Sequence, residues 1–180
     1  MAISIRTARQ LFAEELRFTA KVSSSSVLKA FARVPREHFV GLGPWRIKSP
    51  MRLGEYWTSP DADPRHVYHD VLIALDEARG INNGQPSLWA KLYDEVNLCD
   101  GMHVVHIGAG AGYYTAILAE IVGPRGRVMA IEVDAQLAAR ARDNLMPWPQ
   151  ATVVVADGFS FRGDQPADAI IVNAGSATFR

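Results

Sequence analysis

Three glycines at alternate positions, Gly108-Ala109-Gly110-Ala111-Gly112, follow directly on the apolar run Val104-Val105-His106-Ile107 and lead into a segment of helical composition. Such a turn reverses the backbone tightly and lets a ligand lie against bare main chain, which is where an open α/β sheet binds its ligands, at the carboxyl ends of its strands. Glu132 closes the next apolar run, one strand-helix-strand step later. A carboxylate in that place accepts both hydrogen bonds of a ribose diol. The competing explanation of the glycines is a tight strand-to-helix turn with no ligand. The order strand, turn, helix, strand, acid favours a nucleoside-bearing ligand instead.

The spacing narrows the ligand. A dinucleotide fingerprint, G-x-G-x-x-G, has its third glycine where this chain has Tyr113, so the pattern here is G-x-G-x-G. A bulky residue at that position argues against close approach of a pyrophosphate and favours a ligand without phosphates, such as S-adenosyl-L-methionine. Asp157 follows the third apolar run and is placed to bind the amino group of an adenine, with Gly158 leaving space beside the ring. The alternative for Asp157 is an ordinary turn residue before glycine. A nicotinamide-dependent oxidoreductase would share the turn and the acid, but Tyr113 counts against it.

These groups need a parallel sheet to position them, and the chain supplies its elements. Val104–Ile107, Val128–Val133, Thr152–Val155 and Ala169–Val172 are short β-branched runs, alternating with helical segments predicted at Tyr113–Val122 and Ala135–Leu145. Gly123-Pro124 and Pro147 close those two helices. Upstream, apolar positions Ile5, Ala8, Phe12, Leu16 and Ala20 line one face of a predicted helix. Ser23 to Ser26 either cap a second helix, Val27 to about Arg33, or form a flexible linker, and Pro35 stops that helix. Residues 41–65, rich in Gly, Pro, Trp and Arg, read as an irregular loop. Pro86 opens a third helix ending near Asn97.

The whole chain has 180 residues, 48% of them hydrophobic, with 19 basic against 19 acidic side chains, so it can fill a core and announces no basic nucleic-acid face. No nucleic-acid partner is expected. The N-terminal region is broken by Arg6, Arg9, Glu14 and Glu15, and no later stretch is long and apolar enough for a membrane span, so the expected compartment is cytoplasmic. Cys99 stands alone and reads as a small apolar residue, and the histidines lack metal-site spacing, so no metal is expected.

Several separated motifs together resemble one family. His106 to Tyr113, Tyr114-Thr115-Ala116 and Ile131-Glu132 look like the cofactor-binding half of the protein-L-isoaspartate O-methyltransferase family. Val34-Pro35-Arg36-Glu37-His38-Phe39-Val40 is similar to its V-P-R-E-x-F-V helix end, Tyr68-His69-Asp70 to its Y-x-D segment, and Asp157-Gly158 and Asp168-Ala169-Ile170 to later elements. The resemblance runs from about Val27 to Gly175. It implies an α/β Rossmann-like class I methyltransferase sheet, truncated after about the fourth strand, behind a helical N-terminal segment. The expected division is 1–80 for that segment and 81–180 for the S-adenosyl-L-methionine-binding part, packed as one unit. The implied activity is carboxyl O-methylation of a peptide or protein substrate, with Gly108, Gly110, Gly112, Tyr113, Glu132, Asp157 and Gly158 at the cofactor.

Three departures bear on what carries over. His106 stands where many relatives place an acid, and is read as a core or edge residue. The family's substrate segment is I-S-x-P, whereas Ile81-Asn82-Asn83-Gly84-Gln85-Pro86 is two residues longer and has no serine there. Asn82, Asn83 and Gln85 could donate hydrogen bonds to a substrate carboxylate in its place, or the segment could simply turn and cap the following helix. The third departure is that the familiar sheet has further strands after Ala169–Val172. Without them that strand presents an unpaired apolar edge, which must be covered by more chain or by self-association with a second copy. The alternative readings are a non-catalytic S-adenosyl-L-methionine-binding or interaction protein, or a methyltransferase with another substrate.

Overall fold

The computed structural model describes residues 3–51, 54–163 and 165–174. The chain divides into two compact units, Met1–Leu98 and Cys99–Arg180. The division thus falls after Leu98 rather than after residue 80, and the segment beginning at Ile81 belongs to the first unit.

In the first unit, α1 (Ile5–Thr19) starts at Ser4, whose side chain accepts from the Thr7 N–H, and buries Ala8, Phe12, Ala13 and Leu16. The serine run is a cap and not a linker. Ser24 accepts from Val27 N–H at the start of α2 (Ser25–Arg33), while the Asp94 carboxylate accepts from the N–H groups of Ser23 at 3.0 Å and Ser24 at 2.7 Å. Phe12 meets Phe31 and Tyr68 edge-on, with ring centroids 6.3 and 5.7 Å apart.

Residues 41–65 are less irregular than predicted. They contain β1 (Arg46–Lys48) and β2 (Trp57–Thr58), which join β3 (Leu72–Asp76) and β4 (Ile81–Asn82) in an antiparallel sheet of order β2-β1-β3-β4. Strands of two or three residues carry no readable period. Long-range bonds define them, such as Trp45 N–H to Ser59 Oγ at 2.9 Å and Ser59 N–H to Trp45 O at 2.8 Å.

Arg36 organises the rest of this unit. Its side chain is fully buried. It donates to Asn83 Oδ1 (3.0 Å) and to the carbonyls of Val67 (2.9 Å), His69 (2.9 Å), Val71 (2.8 Å) and Gly84 (3.3 Å). Next to it, Tyr68 Oη accepts from Arg36 N–H and Arg9 Nε and donates to Glu37 Oε2. Burial and the neighbouring Glu37 carboxylate push the Tyr68 phenol well above its ordinary value. Asp70, held between these carbonyls, starts α3 (Pro86–Glu95): its carboxylate accepts from Ser87 N–H at 2.7 Å and from Gln85 Nε2 at 3.0 Å.

The second unit is a parallel sheet of β5 (His103–Ile107), β6 (Arg127–Glu132), β7 (Ala151–Val155) and β8 (Ala169–Val172) in the order β7-β6-β5-β8. Val104 pairs with Val128 in parallel register, as the crossover pattern requires. The connections are α4 (Tyr113–Val122) and α5 (Ala135–Asn144), with Asp134 capping α5 at Gln136 and Leu137 N–H. Asp168 pins the start of β8 to β5 through His103 N–H at 2.7 Å. Among the described residues β8 is an edge strand, and Ile170 and Val172 are exposed there. Cys99 is a free, exposed cysteine.

Arg36→Lys keeps the charge and loses the planar fork, leaving several buried carbonyls without donors. Urea unfolding is expected to show a loss of about 2–4 kcal/mol. An unchanged midpoint and slope would contradict the role given to Arg36.

Candidate functional site

The ends of β5 and β6 converge on the glycine turn. Gly108 N–H donates to Ile131 O at 2.8 Å, Ala109 N–H to the same carbonyl at 3.1 Å, and Gly110 N–H to Glu132 Oε2 at 2.7 Å. The second Glu132 oxygen accepts from Asp134 N–H at 3.0 Å. The Glu132 side chain is thus nearly buried and held rigidly by two backbone donors. Gly108 has φ +82°, and a Cβ there would lie 2.4 Å from Asn173 O. Gly112, with φ +95°, starts α4 against Leu145 and Ala141. Local geometry alone therefore requires glycine at both positions.

Tyr113 turns into the core, 1% exposed and edge-on to Tyr114 at 5.0 Å, so its ring fills the protein instead of facing outward. Asp157 is exposed at the end of β7, and its Oδ1 accepts from Phe159 N–H at 3.0 Å. Its other oxygen makes no hydrogen bond with the described residues. At Gly158 a Cβ would meet Ile107 Cγ2 at 2.4 Å. The space at that glycine is taken up by Ile107.

The amides of residues 82–85 lie in the first unit and are largely committed to it. Asn82 Oδ1 accepts from Gly84 N–H at 2.8 Å, an Asx turn with Gly84 at φ +75°. Gln85 Nε2 serves Asp70 and Ser87 Oγ, both at 3.0 Å. Asn83 is 5% exposed and accepts from Arg36 through Oδ1. Arginine only donates, so the orientation of that amide is settled, and Asn83 Nδ2 faces away from the guanidinium as a donor. Arg36 and Asp70, which set this geometry, were not singled out by sequence reasoning as site residues. Their partners lie 47 and 17 positions away.

No cluster of three or more His, Cys, Asp or Glu side chains able to hold a metal occurs among the described residues. No helix among them is long and apolar enough to cross a membrane.

A parallel sheet in this order, with a glycine turn after one strand and an acid ending the next, defines a Rossmann-like fold of the class I methyltransferase type. The model of the family "Protein-L-isoaspartate(D-aspartate) O-methyltransferase" matches residues 7–179, and the chain belongs to that family. It is 30% identical over 169 residues to the protein-L-isoaspartate O-methyltransferase of Methanothermobacter thermautotrophicus, covering 92% of this chain and 68% of that one. It is 31% identical over 175 residues to the enzyme of the same name from Methanopyrus kandleri, covering 95% of this chain and 68% of the relative. A solved protein-L-isoaspartate O-methyltransferase superposes with TM-score 0.74 at 27% identity, over 93% of this chain and 48% of that chain. The chain therefore spans about two thirds of the curated relatives and about half of that solved structure.

His106 stands out within β5. It is fully buried, its Nδ1 lies 2.9 Å from Thr115 Oγ1, and its Nε2 has no partner among the described residues. Burial pushes its pKa down to about 4 from 6.5. The imidazole is neutral in the folded chain, whereas in the unfolded chain it charges near the ordinary value. Between those two values the unfolded chain binds more protons, so stability falls as pH falls through that window, by about 3 kcal/mol from this side chain. Urea unfolding of wild type and His106→Gln at neutral pH and at pH about 4 is expected to show the variant losing less stability on acidification. Parallel pH profiles would contradict this.

Proposed function

We propose that this chain forms the cofactor-binding part, and a substrate-binding part, of an S-adenosyl-L-methionine-dependent methyltransferase acting on carboxylates of peptides or proteins, with isoaspartyl residues as the acceptor class. The observation that carries the reading is the Gly110–Glu132 bond at 2.7 Å. A carboxylate has about four lone-pair sites. Two are used by Gly110 and Asp134, so each oxygen retains capacity for one hydroxyl of a ribose diol. Family membership over residues 7–179 supports the same reading.

The other residues take roles that fit their placement. Gly108, Gly110 and Gly112 present main chain to the ligand, and Tyr113 anchors the turn from within. The oxygen of Asp157 not used on Phe159 is available to an adenine amino group. Beside it, Ile107 packed on Gly158 offers an apolar wall to the ring. When bound, the cofactor supplies an electrophilic methyl group on a sulfonium. The acceptor carboxylate, with an ordinary pKa of about 4, is ionised at neutral pH and requires no general base. Catalysis then rests on positioning and exclusion of water. In the first unit, Asn83 Nδ2, oriented by Arg36, is the amide best suited to hold such a carboxylate; Asn82 and Gln85 shape the segment around it.

Calorimetric titration with S-adenosyl-L-methionine is expected to show Glu132→Ala weakened by about 1.5–3 kcal/mol, with Glu132→Gln as the variant that preserves size. Unchanged affinity in both would remove Glu132 from the site.

The substrate is tested by labelled-methyl transfer to a peptide carrying isoaspartate and to its aspartyl twin, using the full-length protein. Labelling confined to the isoaspartyl peptide is expected. Equal or absent labelling with cofactor binding intact would reject isoaspartate as the acceptor.

A further inference from the structure

The faces of α1 and α2 form an open groove of about 450 Å³ lined by Arg6, Arg9, Gln10, Lys29, Ala32 and Arg33. Its lining holds four cationic side chains and no acidic one, in a chain whose basic and acidic residues balance. The arrangement is regular. Arg6, Arg9 and Gln10 on one helix, and Lys29, Ala32 and Arg33 on the other, each follow the i, i+3, i+4 spacing of a single helical face. Within each stripe like charges are neighbours, Arg6 with Arg9 and Lys29 with Arg33, which costs helix stability unless an opposite charge sits between them.

The protein itself only partly supplies that opposite charge. Arg9 is fixed, donating to Tyr68 Oη, Arg33 O and Glu37 Oε1. Arg6 and Lys29 are exposed and form no ion pair among the described residues. The groove is therefore lined by one guanidinium held in internal bonds and by two cations, Arg6 and Lys29, that form no ion pair among the described residues.

We propose that this groove docks an acidic polypeptide segment, through carboxylates carried on the polypeptide substrate away from its reacting group. The inference rests on the polypeptide substrate proposed above. Two features select an acidic peptide over nucleic acid. No aromatic side chain lines the groove to stack a base, and the zero net charge provides no extended field for a phosphate backbone. The volume suits a few side chains, not a folded domain.

The test is fluorescence anisotropy of a labelled peptide alternating Glu and Ser against its Gln and Ser counterpart, with the full chain and without cofactor. The acidic peptide is expected to bind, to weaken as salt rises, and to bind Arg6→Gln/Lys29→Gln about tenfold more weakly. Both substitutions are at exposed positions, and an unchanged thermal melt confirms that the variant is folded. Equal binding of the two peptides, undiminished binding by the folded variant, or tighter binding of a single-stranded oligonucleotide of matched charge would each overturn the proposal. Because binding is read without methyl transfer, a chain that docks the acidic peptide but methylates no carboxylate supports the groove and rejects the activity.

Discussion

Glu132 and the glycine turn hold each other in place. The carboxylate takes the Gly110 N–H on one oxygen and the Asp134 N–H on the other, tying the exit of β5 to the entry of α5. On the far side, β8 leaves alongside β5, with Asn173 N–H bonded to Ile107 O at 2.7 Å, and its main chain closes over Gly108. The turn is therefore wedged between an acid from one neighbouring strand and a carbonyl from the other. Gly108 and Gly112 are needed for packing before any ligand arrives. The glycine pattern by itself thus says little about function, whereas the unspent capacity of a buried, pre-aligned carboxylate says more. Backbone donors hold that acid at no cost in further side-chain ordering, so the groove is preorganised.

The first unit solves a different problem. Between α2 and α3 the described residues form short strands, two short 3-10 helices and turns, which leave many carbonyls outside regular ladders. A buried carbonyl without a donor is costly. Arg36 meets several at once, and the five donors of a guanidinium suit the task better than any other side chain could. Tyr68 and Glu37 extend the same network to Arg9 on α1. The residues that resembled V-P-R-E and Y-x-D motifs are thus interlocked physically: one supplies donors, the other lies on the loop whose carbonyls receive them.

The parts legible in the sequence are those governed by local rules. Tyr113–Val122 follows from a glycine on either side of an apolar helix, and the four parallel strands from β-branched runs at crossover spacing. Their ends shift by a residue, as with Arg127–Glu132, because the ladder and not composition decides where pairing stops. The small antiparallel sheet was not visible, since β1, β2 and β4 have only two or three residues and β3, Leu-Ile-Ala-Leu-Asp, carries no alternation. The amides of residues 82–85 were legible as polar groups but not in their roles, because Arg36 and Asp70 reach them from distant positions. Gly158 is a similar case: its neighbour Ile107 lies on another strand, so the steric reason for glycine appears only once the sheet is assembled.

Helix α3 begins without a capping side chain of its own, and the carboxylate that receives its early N–H comes from Asp70, in a loop earlier in the chain. Its first turn is consequently a tertiary object. In an isolated peptide, Pro86 could set the angle but nothing would gather the free amides, and the helix would fray from that end. The two are therefore linked in the native structure: Asp70, flanked by the His69 and Val71 carbonyls that Arg36 holds, caps α3 only where that loop is in place. Two local structures that look independent along the chain thus form as one cooperative element.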